Sequence, residues 1–250
     1  MDTLQPKKFN ILLIGDNCRD VYQYGTVDRL SPEAPVPVFK FSHEETRAGM
    51  AGNVCTNLLR FGLNLNFLHS ETSTKTRLID IKSKQHIVRL DNDIMSTAIT
   101  VDSKVPEIYD AIVISDYNKG TVSYELVEEL RKEFKGPIFI DTKKTDLARF
   151  EGCIVKINQL ESSRATSFPS PQWLITTIGD QGAVWNGCIF ESKTVGVVDV
   201  TGAGDTFLAA LAFDYLHTQD FKSAIEFANA ASAVTVQHGG VYAPSLEEIQ

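Results

Sequence analysis

The sequence predicts an α/β fold in which helices flank a mainly parallel sheet and a small β element covers it as a lid. Two observations indicate this fold. Short apolar runs alternate along the chain with stretches of helical periodicity, as in parallel sheets covered on both faces. The chain has 250 residues and is 43% hydrophobic, enough for one substantial core, so we expect one domain over residues 1–250.

The first strand is predicted at residues 9–15, an apolar run rich in Ile and Leu that ends just before Asp16. Open α/β sheets bind ligands at the carboxyl ends of their strands, so Asp16 is a candidate ligand residue. Prolines at 32, 35 and 37 favour an extended or edge segment over a helix. A helix follows at residues 50–61, because the apolar residues share one face and Gly62 can end it.

The alternation of polar and apolar residues over 76–91 indicates a hairpin with its turn near Ser83. Together with the proline-bearing segment it would form the lid, whose two parts are expected near residues 20–42 and 74–91. The remaining strands are predicted at residues 111–115, 137–141, 154–157, 173–178 and 194–198, and the remaining helices at 124–134, 203–217 and 221–237.

Charge and cysteine content restrict the function classes. A formal net charge of −8 provides no general attraction for nucleic acid or an anionic membrane, and no apolar run approaches a membrane span. The four cysteines form no CxxC pair, so reduced thiols are expected rather than a zinc ribbon or a disulfide framework. These features predict a cytoplasmic protein whose partners are small molecules.

The strongest local signal is the segment DVTGAGDT at residues 199–206, placed between a predicted strand and a predicted helix. Glycines let the backbone turn its amides toward one point, and a helix start adds free N–H groups, so such a segment binds anions. A carboxylate there, Asp205, is explained if it deprotonates a hydroxyl that attacks a bound phosphate. The plainer alternative is that Asp205 only caps the helix and the glycines only make the turn.

Two common nucleotide-binding motifs are missing from the sequence. It contains no GxxxxGK[ST] P-loop, and Phe207 stands where the third glycine of a dinucleotide-binding GxGxxG would be.

Further motifs occur over nearly the whole chain. They are GD at 15–16 with Asp20, YG at 24–25, RLSPEAPVP at 29–37, GMAGN at 49–53, TKTR at 74–77, RLD at 89–91, SDYNKG at 115–120, GAGD at 202–205 and FANAA at 227–231. In this order they resemble the ribokinase or phosphofructokinase-B family of carbohydrate kinases. The resemblance implies a ribokinase-like fold and an ATP-dependent sugar kinase, and it is greatest to members that phosphorylate heptose 7-phosphate at C1.

The resemblance implies a role for each matching residue on the sugar side. Asp205 would be the base, and the amides of Gly202, Ala203 and Gly204 would form the anion hole for the transferring phosphoryl group. The implied substrate-binding residues are Asp16, Asp20, Gly49 and Asn53 for sugar hydroxyls, Arg77, Arg89 and Lys119 for a substrate phosphate, and Asp116 beside them.

On the nucleotide side, the resemblance implies that ATP lies across the anion hole. Its implied neighbours are Asn158, Glu161, Thr177, Gly179, Gly182 and Asn229. Magnesium would bridge the ATP phosphates, mostly through waters. Asp199 and Thr201 are candidates for a potassium site.

Plainer structural roles are also open to these residues. Asp16 and Asp20 could cap loop amides, Asn53 could cap a helix turn, and the basic residues could form a solvated face. An unpaired lid edge predicts a homodimer.

The chain also departs from the family pattern. Segments 68–74 and 158–173 are short, Lys156 stands near Asn158 where relatives tend to have Thr and Pro, and Met50 replaces the second glycine of a GG pair. These departures leave open a catalytically silent sugar- or nucleotide-binding module, or a kinase for ribose, fructose or a nucleoside.

Overall fold

The computed structural model describes residues 8–101 and 108–249. Within these ranges the strands are β1 (Asn10–Gly15), β2 (Asn17–Leu30), β3 (Pro37–Met50), β4 (Asn64–Leu68), β5 (Thr72–Asp80), β6 (His86–Asn92), β7 (Ala111–Asp116), β8 (Ile138–Thr142), β9 (Ile154–Asn158), β10 (Leu174–Thr177), β11 (Ala183–Trp185) and β12 (Cys188–Phe190). The α-helices are α1 (Ala51–Arg60), α2 (Tyr124–Glu133), α3 (Gln159–Arg164), α4 (Ala203–Thr218), α5 (Phe221–Thr235) and α6 (Leu246–Ile249).

Eight strands form the large sheet, in the order β12-β11-β10-β9-β8-β7-β1-β4. All neighbours from β4 to β10 pair in parallel, and only β11 and β12 pair antiparallel. Successive residues of a strand point to opposite faces of the sheet, and each face packs in its own hydrophobic core. In β1, Ile11 and Leu13 pack with α1, α4 and α5, whereas Leu12 and Ile14 pack with α2. Burial on both faces explains the continuous apolar runs and confirms the predicted mainly parallel sheet.

The second sheet is the predicted lid, with strand order β3-β2-β5-β6. It is larger than expected from sequence, since β2 and β3 are each 14 residues long and together reach residues 17–50. The prolines do not occupy one extended segment. Pro32 and Pro35 lie in the connection between the strands and Pro37 begins β3, positions that do not require a backbone N–H in the middle of a ladder. The hairpin of β5 and β6 is confirmed.

The predicted strand at 194–198 is wrong, because these residues form a loop without ladder partners. Val197 and Val198 are 56% and 69% exposed, so their β propensity has no sheet surface to pack on. The antiparallel hairpin of β11 and β12, which the sequence pattern did not indicate, forms this edge of the sheet instead. Two short helices, α3 and α6, were also not predicted.

None of the helices in the described ranges is long and apolar enough to cross a membrane. All four cysteines are free. Burial raises the pKa of the Cys18 and Cys153 thiols to about 11, so these two are unreactive at neutral pH.

Candidate active site

Asp205 lies in the first turn of α4 and is 4% exposed. Its Oδ1 accepts a hydrogen bond of 2.8 Å from the Tyr117 hydroxyl, and its Oδ2 accepts one of 3.0 Å from Asn53 Nδ2. Burial raises the pKa of Asp205 to about 6, although both hydrogen bonds oppose the rise. The carboxylate is therefore mostly ionised at neutral pH and basic enough to accept a proton, which is the property a general base needs.

The helix start beside Asp205 is tightly built. Gly202 has a left-handed φ of 83°, and a Cβ there would lie 2.7 Å from Asn53 Nδ2. A Cβ on Gly204 would lie 2.8 Å from Lys156 Nζ. A side chain at either position would therefore displace Asn53 or Lys156 from the start of α4. The Ala203 amide donates to the Val200 carbonyl at 3.3 Å.

Lys156 is a buried cation that sequence reasoning did not assign to the site. It is 3% exposed and lies on β9, and its Nζ is 2.8 Å from Asp141 Oδ2. Its position against Gly204 brings a positive charge to the start of α4, beside Asp205. The available signal was a lysine inside an otherwise apolar strand, Ile154–Asn158, since lysine is rarely fully buried without a partner.

Tyr117 was also missed, although the motif around it was identified. It follows β7, and its ring centre lies 5.2 Å from Lys143 Nζ and 6.0 Å from Lys75 Nζ. Burial, together with the charge of Asp205, raises the pKa of Tyr117 well above its ordinary value. The hydroxyl therefore stays protonated and donates to the base.

Asp16 is buried directly after β1, and its carboxylate accepts hydrogen bonds from backbone amides of the loop that follows β7. Oδ2 accepts from the amides of Tyr117 and Lys119 at 2.8 and 3.0 Å, and Oδ1 from the amide of Thr121 at 3.2 Å. These three bonds agree with the plainer role, a carboxylate that caps loop amides. Contact between Asp16 and a sugar stays a prediction.

Asp116, at the end of β7, has a similar environment. It accepts hydrogen bonds from Thr142 Oγ1 at 2.7 Å and the Asn118 amide at 2.8 Å, and Lys144 Nζ lies 3.3 Å away. Burial raises the pKa of this carboxyl despite the lysine. Its substrate role stays a prediction, because these neighbours already account for a carboxylate at this position.

Asp20 and Gly49 meet where the lid joins the large sheet. Asp20 is buried, and its Oδ1 lies 2.5 Å from Arg77 Nη1. A Cβ on Gly49 would lie 2.1 Å from Asp20 Oδ2, so only glycine leaves room for this carboxylate. The other two cations expected to bind a substrate phosphate are also paired, Arg89 with Asp91 and Lys119 with Asp93.

A cavity of about 420 Å³ lies on the other side of the start of α4. Four of the six residues predicted for ATP line it: Thr177, Gly179, Gly182 and Asn229. Ala203 and Gly204 line it as well, so the cavity and the predicted anion hole are continuous. Its size is that of a small-molecule site.

The other two residues predicted for ATP, Asn158 and Glu161, are not part of the cavity lining. They form a reciprocal capping box at the start of α3, and Glu161 also contacts Lys143 Nζ. Helix capping is a sufficient structural role for this pair, so a contact with the ATP phosphates stays a prediction.

Asp199 and Thr201 are bonded to each other. Asp199 Oδ1 accepts from the Thr201 amide and hydroxyl, and Oδ2 accepts from the Gly240 amide at 2.8 Å. Burial favours a higher pKa for Asp199, but these hydrogen bonds outweigh it and lower the pKa. Within the described ranges no three His, Cys, Asp or Glu residues converge on a possible metal position.

Comparison with known sequences identifies similar proteins. The profile of the pfkB family carbohydrate kinase matches residues 154–249. The bifunctional protein HldE of a Nitratiruptor species is 32% identical over 301 aligned positions, covering 97% of this chain. The chain spans 64% of the length of that relative. Since 301 positions exceed the 250 residues of the chain, the relative has segments without a counterpart here. That these segments correspond to 68–74 and 158–173 stays a prediction.

Solved structures share the fold. Arabidopsis thaliana ribokinase complexed with ribose and ATP superimposes with a TM-score of 0.71 at 14% identity, covering 97% of this chain and 98% of that one. Phosphofructokinase-2 from Escherichia coli in complex with potassium gives a TM-score of 0.73 at 15% identity, covering 98% and 97%. These likenesses confirm the ribokinase-like fold.

Proposed function

The chain belongs to the pfkB family of carbohydrate kinases, and from this premise we propose that it transfers the γ-phosphate of ATP to a sugar hydroxyl. One observation carries the proposal. The buried carboxylate of Asp205 lies in the first turn of α4, whose residues Ala203 and Gly204 line the adjoining cavity. A base and an anion-binding helix start thus occur together, as phosphoryl transfer to a hydroxyl requires.

In the proposed reaction Asp205 takes the proton of the acceptor hydroxyl while the hydroxyl oxygen attacks the γ-phosphorus and ADP leaves. Both carboxylate oxygens already hold hydrogen bonds, from Tyr117 and Asn53, and these bonds orient the base. The amides of Gly202, Ala203 and Gly204 would stabilise the charge on the transferring group. Lys156 would add positive charge beside Gly204.

The cavity is the proposed ATP site, with Thr177, Gly179, Gly182 and Asn229 among its walls. Asn158 and Glu161 stay candidates for the phosphate end. Magnesium, when bound with ATP, would neutralise phosphate charge, mostly through water ligands. A potassium ion near Asp199 and Thr201 is proposed by analogy with the E. coli phosphofructokinase-2, whose structure contains potassium.

The proposed acceptor is heptose 7-phosphate, phosphorylated at C1. This choice rests on the motif at 29–37 and its neighbours, and ribose, fructose and nucleosides are the alternatives. The test is an ADP-release assay with free and phosphorylated heptoses, ribose, fructose and adenosine. A kcat/KM for heptose 7-phosphate at least tenfold above all others is expected, and a higher value for a neutral sugar or a nucleoside contradicts the choice.

A second candidate function is a sugar- or nucleotide-binding module without turnover. The observation that favours it is the alignment with HldE, in which the relative has segments that are missing here. Against it, a binder has no need for a base, yet Asp205 is present and held by two donors. Calorimetry with ATP and sugar, combined with ADP release, separates the two, because binding without ADP release occurs only for the module.

We further propose one domain over residues 1–250, including the lid; residues 1–7, 102–107 and 250 of it lie outside the described residues. A cytoplasmic location stays a prediction.

We also propose a homodimer formed through the lid, in whose strands Phe41 and Leu90 are 57% and 56% exposed. Exposed apolar side chains on the edge strands of a sheet favour binding of a second copy of the chain. Sedimentation equilibrium tests this, and a monomer at micromolar concentration contradicts it.

A further inference from the structure

Lys75 differs from the other basic side chains around the cleft, because no carboxylate oxygen of the described residues lies within 4.0 Å of its ammonium group. The others each have such a partner. Their pairs are Arg77–Asp20, Arg89–Asp91, Lys119–Asp93, Lys143–Glu161, Lys144–Asp116 and Lys156–Asp141.

The register of the lid explains why Lys75 is unpaired. On β5 it lies directly across from Asp20 of β2 and from Asp91 of β6. Both carboxylates are already bound to arginines, Asp20 to Arg77 at 2.5 Å and Asp91 to Arg89 at 2.9 Å. A guanidinium matches carboxylate geometry better than an ammonium does. The sheet therefore leaves one cation without a counter-ion.

This cation is directed toward the candidate active site. Lys75 Nζ lies 6.0 Å from the centre of the Tyr117 ring, and the hydroxyl of that ring donates to Asp205. At this distance the attraction of the ring for a cation is at its outer limit, so the ring does not replace an anion. Lys75 thus lies on the Tyr117 side of the base and is not among the residues that line the cavity beside Ala203 and Gly204.

We propose that Lys75 binds a phosphate monoester on the acceptor and thereby selects phosphorylated over free sugars. This inference rests on the proposed kinase function and deepens it. A protein of formal net charge −8 needs local positive charge to bind an anionic substrate. Arg77 and Arg89 lie opposite each other beside Lys75, and each guanidinium has N–H donors beyond those used by its carboxylate. Lys75 supplies the uncompensated charge and the arginines supply further donors.

The test compares Lys75→Met with Lys75→Arg and with the control Lys40→Met, which removes the same charge from an exposed position of β3. The kcat/KM is measured for fructose 6-phosphate against fructose and for heptose 7-phosphate against heptose. In Lys75→Met, the preference for the phosphorylated sugar should fall about 10- to 100-fold, the usual value of a hydrogen bond to a charged group. Lys75→Arg should retain most of the preference, Lys40→Met all of it, and the KM for ATP should not change.

An equal loss for free and phosphorylated sugars, or a raised KM for ATP, overturns the proposal, because Lys75 would then act on the fold or on the nucleotide. If the wild-type chain phosphorylates none of these sugars, the proposed function fails. The inference can still be tested in that case by calorimetry with heptose 7-phosphate. Weaker binding by Lys75→Met than by Lys40→Met supports it, and equal affinity overturns it.

Discussion

Replacement of Asp205 by Asn should abolish most of the catalysis and change the pH dependence of stability. Asn cannot accept the proton of a hydroxyl, and loss of general base catalysis lowers turnover on the order of 10² to 10⁴-fold. The Asn amide oxygen can still accept from Tyr117, but its NH₂ group would face the donor Nδ2 of Asn53. One unmatched donor pair costs about 1–3 kcal/mol.

The effect on stability follows from the pKa of Asp205. A rise from 3.8 to about 6 means that the folded protein holds this proton more tightly than the unfolded chain. The stabilisation from protonation is fully present below pH 4 and is lost as the pH rises through 6. It corresponds to about 3 kcal/mol. Asn carries no charge, so from pH 4 to pH 8 the variant should gain about 3 kcal/mol in unfolding free energy relative to wild type.

Urea unfolding between pH 4 and pH 8 measures the stability difference, and ADP release measures turnover. Asp28→Asn is the control, because Asp28 lies on the lid with an exposed side chain paired to Lys82. The control should retain turnover and show no relative gain with rising pH. Near-normal ADP release by Asp205→Asn would refute its role as the base. A stability difference that does not change with pH would refute the reasoning from burial.

Three further predictions concern the pH profile of the wild type, the contact of Tyr117 with the base, and the backbone at Met50. In wild type, kcat/KM should fall tenfold per pH unit below about pH 6, because Asp205 becomes protonated there and can no longer act as a base. The titratable and polar groups around Asp205 are Asn53, Tyr117, Asp141, Lys143 and Lys156. Tyr117→Phe removes a hydrogen bond that lowers the pKa of Asp205, so a pH–rate profile should place its midpoint at higher pH; an unchanged midpoint contradicts the contact. Met50, the residue before α1, has φ 54° and ψ −133°, which strains any residue with a Cβ by about 1–2 kcal/mol. Thermal unfolding should therefore show Met50→Gly to be more stable than Met50→Ala by about 1 kcal/mol, and the usual order, with Ala more stable, would contradict the strain.

The strands of the large sheet could be predicted because their signal is local. In β1 and β7 every residue is buried apart from the first of β1. Their apolar residues pack in one of two cores, and such strands are visible as short apolar runs. The same rule failed at 194–198, an equally apolar segment that forms a loop with exposed valines. Periodicity cannot distinguish a strand from a loop when the neighbouring strand that would pair with it is absent.

The site was predicted unevenly for a similar reason. Asp205 and the glycines before it form one contiguous motif, and the structure places them at one helix start beside a cavity. Tyr117 was missed because a tyrosine in a loop carries no local sign of what it contacts. The lysine at 156 inside an apolar strand indicated a buried partner but not which residue that partner is. Binding of a substrate phosphate by Arg77, Arg89 and Lys119 stays a prediction, and the sequence did not indicate their carboxylate partners.

The sequence by itself predicted the α/β class, the resemblance to carbohydrate kinases and the glycine-rich segment before Asp205, because each depends on short motifs or short periods along the chain. Only the tertiary structure decided which groups hold the base, since Tyr117 and Asn53 are separated from Asp205 by 88 and 152 residues. It also decided that Lys75 has no counter-ion among the residues that the structure describes. That outcome depends on the register between the lid strands, which places Asp20 and Asp91 opposite Lys75. Each of these carboxylates is bound to an arginine.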